Sequence, residues 1–178
     1  MGEPTLASNL GAAIERVRSI LDLPIAVLTN SSLMFRENVR QQLTIADTVL
    51  AKLDVPNEEL FAMVNRPALG LHFDQIKDGI RLFRDQYRGK LALQVMFIEA
   101  NKDYASEIAA LARHISPDEV QINTPLRPCA VRPLPPKNIA EVQREFSNFE
   151  SFVTVYQARK YKALPLNLAE TLRRRPNL

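Results

Sequence analysis

Four short apolar runs, each separated from the next by a stretch of helical periodicity, constrain this chain more than any other feature. The runs are 25–28, 48–54, 90–98 and 120–125. Between them, 37–43, 57–64, 73–87 and 103–114 read as helices. The clearest is 73–87, where Phe73, Ile76, Ile80, Phe83 and Tyr87 recur at the three-and-four spacing of one helix face. Ahead of the first run, Leu6, Leu10, Ala13, Ile14, Val17 and Leu21 do the same, until Asp22-Leu23-Pro24 ends the helix. Strand alternating with helix is the pattern of βαβ units and a parallel sheet. The unbroken run Ile25-Ala26-Val27-Leu28 reads as a strand buried on both faces. The proline-rich stretch 127–136 then leads to a helix over 138–149, a short strand over 152–156 and a final segment, 168–175. We therefore expect an α/β chain with four core strands over 1–126 and a separate extension over 127–178.

Side chains alternate faces along a strand, and this alternation sorts the runs into two sets. Val49, Ala51 and Leu53 oppose Leu50, Lys52 and Asp54. Leu91, Leu93, Val95 and Phe97 oppose Ala92, Gln94 and Met96. Val120 and Ile122 oppose Gln121 and Asn123, and Asn30 falls in phase with Ala26 and Leu28. One face is apolar and suits packing under helices. The other carries polar groups near the strand C-termini, where an unpaired Lys, Asp or Gln in a dry core would cost several kcal/mol. Either these groups pair with one another, or they face a polar ligand at the end of the sheet where β/α barrels keep their sites.

Composition narrows the class. The single cysteine, Cys129, excludes an intrachain disulfide and any multi-cysteine metal site built from this sequence alone. No apolar run approaches the ~20 residues of a membrane span, and the chain reads as cytoplasmic with no membrane partner. A net charge of +3 permits nucleic-acid contact without requiring it. His72 and His114 flank helices and lack partners at metal-ligand spacing, so neither is read as a ligand. Arg173-Arg174-Arg175 is read as a solvated helix end.

The opening turn Gly2-Glu3-Pro4-Thr5-Leu6 resembles the turn that ends the second strand of the radical S-adenosylmethionine (SAM) barrel. The stretches 26–33, 52–54, 64–67 (Val-Asn-Arg-Pro), 121–125, 154–158 and 170–175 are similar to a subgroup related to wyosine tRNA-modifying enzymes. The resemblance implies an incomplete parallel (β/α) barrel and two cofactors, SAM and a [4Fe-4S] cluster. It implies reductive cleavage of SAM to a 5′-deoxyadenosyl radical, which abstracts hydrogen from substrate, with an RNA as one candidate for that substrate. Gly2, Glu3 and Pro4 would set backbone groups against the methionine amino group of SAM. Asn30, with Thr29 or Ser31, would lie near its carboxylate. Lys52 and Asp54 would take the carboxylate and the ribose hydroxyls, and Gln94, Met96 and Asn123 would line the adenine and substrate side.

The departure from the family is the C-x-x-x-C-x-x-C triad that holds the cluster, which this sequence lacks. The expectation is a chain truncated ahead of its SAM-gripping turn and inactive alone, its missing N-terminal segment supplied as a separate chain or by a longer gene product. The strand at 25–28 would then present an open edge that invites association. Two rivals remain: a non-catalytic SAM- or RNA-binding module, and an unrelated metal-free β/α enzyme using Lys52 and Asp54 as acid and base.

Overall fold

The computed structural model describes residues 2–126, 129–149 and 152–157. Arg173-Arg174-Arg175, Ala158 and the segment 168–175 lie outside them. The strands are β1 (Ala26–Thr29), β2 (Thr48–Lys52), β3 (Lys90–Met96), β4 (Glu119–Asn123) and β5 (Phe152–Thr154). All pair in parallel, in the order β1-β2-β3-β4-β5. The parallel sheet is the one expected, with one strand more. β5 pairs with β4, so the boundary drawn at residue 126 falls between two strands of one sheet.

The helices are α1 (Leu10–Arg18), α2 (Glu37–Leu43), α3 (Glu58–Leu60), α4 (Phe73–Gln86), α5 (Ala105–Ile115) and α6 (Pro136–Glu145). Two depart from the sequence reading. Pro4 to Leu6 forms a single 3-10 turn, and the helix begins only at Leu10. The stretch read as a helix over 57–64 is one turn of α-helix that widens into a π-turn, Phe61–Asn65. Asn57 caps its start by accepting the Leu60 N–H, while nothing periodic in the residues announces the widening.

One core forms where helices cover one face of the sheet. Val49, Ala51, Leu91, Leu93, Val95, Val120 and Ile122 are fully buried there with Ile80, Phe83, Ile108, Ala112 and Ile139. The opposite face stays open, which corrects the reading of 25–28 as buried on both sides. Burial alternates along β1, and Leu28 is 55% exposed. The apolar run is continuous because Ala26 and Leu28 lie on the open face beside Val27 on the buried one.

The two ends of the sheet differ in chemistry. At the N-terminal end, carboxylates tie strands to helix arginines. Asp47 accepts from the Ile25 N–H at 2.7 Å and pairs with Arg18. Asp118 accepts from the Leu91 N–H at 2.7 Å and from Arg84. Burial would raise the Asp118 carboxyl, but these two donors outweigh it and hold it below its ordinary value. The Tyr87 hydroxyl donates to the Ala46 carbonyl, and burial pushes its pKa up to about 12. These contacts lock the bottom of the sheet and leave ligand chemistry to the top.

Candidate functional site

Register places the polar residues side by side. Lys52 is opposite Gln94, Gln94 opposite Gln121, and Met96 opposite Asn123. Neighbouring strands lie about 4.8 Å apart, so each row is a short contiguous ledge. All of these residues are half-buried on the open face, at the strand C-termini.

The opening turn is tied to this end. Oε1 of Glu3 accepts from the Thr5 N–H (3.1 Å), the Thr5 hydroxyl (2.7 Å) and the Thr29 hydroxyl (2.6 Å), and Oε2 accepts from the Asn30 N–H (2.7 Å). Glu3 therefore fastens Gly2 and Pro4 to the end of β1. Ser31, at a left-handed φ of 67°, continues the chain of contacts. Its N–H donates to Thr29 Oγ1, and its hydroxyl donates to the Lys52 carbonyl at 2.9 Å. Asn30 Oδ1 accepts from the Ser32 N–H, which leaves its amide nitrogen for other partners.

Asp54 sits where β2 and β3 end, with its side chain 4% exposed. Oδ1 accepts from the Met96 N–H at 2.8 Å; Oδ2 accepts from Asn65 at 2.8 Å and pairs with Lys52 at 3.2 Å. Its carboxylate is filled by the protein, whereas the Lys52 side chain remains 29% exposed. Beside it, Gln94 donates to Gln121 Oε1, Gln121 donates to Glu119, and Glu119 pairs with Lys90 at 2.7 Å. Both sequence alternatives are thus realised in part: some polar groups pair with one another, and others stay open. Among the described residues, no hydrogen bond engages the side-chain oxygen Oε1 of Gln94 or the side-chain amide of Asn123. These groups sit on the half-buried ledge with Lys52, the chemistry that a carboxylate, hydroxyls and a purine edge require.

Sequence reasoning missed Glu119 and Lys90 as parts of this ledge, because they stand at the opposite ends of their strands from the expected site. It also missed Asn101, which is fully buried and donates to the carbonyls of Asp54 and Met96. A lone Asn in a loop carries no sequence signal of that role.

Burial works to raise the Glu119 carboxyl, but Lys90 and Gln121 outweigh it and hold it below its ordinary 4.5. A depressed carboxyl contributes stability that is present above its unfolded value and lost as pH falls through the folded one. Glu119→Gln is therefore expected to be less stable than wild type by a constant amount near neutrality. The gap closes below about pH 4.5; urea titrations at several pH values check this, and a gap that widens in acid contradicts it.

The cluster does not fit these residues. Among the described residues no three His, Cys, Asp or Glu side chains converge, and Cys129 is exposed, its thiol donating to the Val131 carbonyl. SAM does fit the open groups of the ledge.

The five-strand parallel sheet, open on its polar side and covered by helices on the other, matches the fold of solved proteins that include a radical SAM methyltransferase. The structure superposes on three of these with TM-scores of 0.63 to 0.65, over 86% of the chain in each case. One is a radical SAM methyltransferase from Sphaerobacter thermophilus (TM-score 0.63, 17% identity, 48% of that chain). Another is a domain of a pyruvate-formate lyase-activating enzyme from Bacteroides vulgatus (0.65, 15%, 94%). The third is SuiB of Streptococcus suis bound to SAM (0.63, 15%, 37%). No protein-family profile matches the chain. In sequence it is similar to a UPF0026 protein of Methanocaldococcus jannaschii, 34% identical over 155 residues, and to one of Synechocystis, 36% identical over 128. These matches cover 85% and 71% of the chain, and it spans 48% of the length of each relative. No helix among the described residues is long and apolar enough to cross a membrane.

Proposed function

We propose that this chain binds and orients SAM for a radical SAM reaction, and that the cluster's thiolates come from outside it. The observation that carries the reading is the Lys52 ammonium, steered by buried Asp54 onto the same ledge as the open Gln94 and Asn123 groups. Lys52 would take the methionine carboxylate of SAM. Asn30 and the Glu3-fastened turn would hold its amino-acid end, and Gln94, Met96 and Asn123 would border the nucleoside. Asp54, its oxygens already filled, orients Lys52 rather than the ribose. Bound SAM would supply the hydrogen-abstracting group, and the residues described here would hold and orient it. If the opening turn and strand ends belong to a wyosine-related enzyme, as their sequence resemblance implies, the substrate of the whole reaction would be an RNA.

Isothermal calorimetry tests the binding. SAM is expected to bind the chain, and Lys52→Met to weaken it at least tenfold, about 1.4 kcal/mol. Binding unchanged in Lys52→Met, or no binding in wild type, rejects the reading. Treating the chain alone with iron and sulfide is expected to leave its visible spectrum featureless and to release no deoxyadenosine from SAM; stoichiometric cluster absorbance overturns the second half of the proposal.

A further inference from the structure

Beside the ledge lies a cleft of about 530 Å³, between the opening turn and the loops that follow β1 and β2. Its size falls in the range of small-molecule sites, roughly 300–1,000 Å³. Three features separate it from a mere surface dent.

First, two arginines, Arg36 and Arg66, line it, and among the described residues neither pairs with a carboxylate. The acid in the wall is Glu3, whose oxygens already accept four hydrogen bonds. The cleft therefore presents cations without their counter-ions. Second, Arg66 adopts φ 48°, ψ 62° immediately before Pro67. A proline drives the preceding residue to extended backbone, and a left-handed arginine is uncommon in any context. It closes the π-turn Phe61–Asn65, and such turns recur at functional sites. Third, large apolar side chains face solvent around the cations. Leu69 is wholly exposed and Leu6 is 72% exposed; Phe35 is 36% exposed, and its ring lies under the Arg36 guanidinium at 5.5 Å.

The Arg36 wall is held rigidly. Buried Arg40 donates to the carbonyls of Met34 and Phe35. Helix α4 presses the same loop through Gly79, where a Cβ would fall 2.6 Å from the Phe35 nitrogen. The other wall reports to the ledge, because Asn65 donates to the Asp54 carboxylate that steers Lys52. Glu3 and Asn30 belong to both cleft and ledge.

We propose that this cleft takes a small molecule bearing an oxyanion, phosphate or carboxylate, on an apolar body. Arg36 and Arg66 meet the anion, and Leu6, Phe35 and Leu69 cover the body. The cleft's role as the second-substrate site rests on the SAM reading above; its ligand chemistry does not.

The full chain, ¹⁵N-labelled, is titrated with phenyl phosphate, benzoate and phenol, each with and without SAM. Either anion is expected to give saturable shifts at the cleft residues, and the tighter of the two names the group. Phenol, with the same ring and no anion, is expected to bind at least tenfold more weakly. Arg66→Gln should weaken the anion at least tenfold. So should Leu69→Asp, which adds a repelling carboxylate at a fully exposed position where folding is not at risk. Both variants should bind SAM within twofold of wild type. Phenol binding as well as the anions, or anion affinity unmoved in both variants, overturns the proposal. A short oligonucleotide bound through Arg66 where neither small anion binds overturns it too, in favour of a polymer surface. Anion binding that survives while SAM fails to bind overturns the SAM reading alone.

Discussion

Asp54→Ala is expected to destabilise the protein by about 2 kcal/mol and to abolish SAM binding. The stability loss comes from a backbone donor left without a partner. The Met96 N–H loses a bond of 2.8 Å to a carboxylate that is 4% exposed, whereas the Asn65 amide, on an exposed residue, regains water when its own 2.8 Å bond is lost. An orphaned buried donor costs about 1–3 kcal/mol. Lys52 adds little to that sum, because at 29% exposure its ammonium can regain water. In a chain of this size the loss corresponds to roughly 4–8 °C in Tm. The binding loss has another cause: without Asp54, Lys52 is no longer aimed at the ledge. Asp54→Asn separates the two effects. Its remaining oxygen can still accept from Met96, but its amide nitrogen meets two donors, Asn65 and Lys52. Stability should be partly recovered and SAM binding should not. An Asp54→Ala protein that melts within about 1 °C of wild type would show that the carboxylate does not organise this end of the sheet. Unchanged SAM affinity would remove Asp54 from the site and leave open its use as an acid–base group in other chemistry.

The same residues show what the sequence could and could not disclose. Alternation along 48–54, 90–98 and 120–125 separated buried from open positions at all but Asp54 and Ala92, which are buried on the open side, because a strand has only two faces and helices must cover the apolar one. From that alone came the ledge of Lys52, Gln94, Gln121 and Asn123. β1 misled, since alanine and leucine on an open face look like core when read in one dimension. The strand at 152–154 was visible as a strand, but its pairing with β4 was not, because pairing is decided by where the connecting helix α6 lands. Asp54 was legible as polar and near the site; its burial depended on Met96 and Asn65, residues 42 and 11 positions away. The cleft was the least legible part. Asn65-Arg66-Pro67 stood out as unusual, yet neither a π-turn nor a left-handed arginine before proline follows from local preference, which opposes both.

Asn101→Ala is expected to cost as much as Asp54→Ala or more, with a different footprint. Asn101 is wholly buried beneath the ends of β2 and β3. Its amide nitrogen donates to the Asp54 carbonyl at 2.7 Å and the Met96 carbonyl at 2.9 Å, and its oxygen accepts from the Ile98 N–H at 2.7 Å. One side chain thus satisfies three backbone groups and staples the two strand ends that carry Lys52 and Gln94. Truncation leaves all three unpaired, at about 3–4 kcal/mol in sum. Amide hydrogen exchange locates the damage: Met96 and Ile98 should lose protection, while Leu91, fixed at the other end by Asp118, should keep it. Uniform loss along β3 would mean a global effect instead of a severed staple. Asn101→Asp adds a sign to the test. A carboxylate facing two carbonyls is disfavoured when ionised, so its folded pKa is raised. The variant should be most stable below the ordinary carboxylate range and lose stability as pH rises through and beyond it, opposite in direction to the contribution of Glu119.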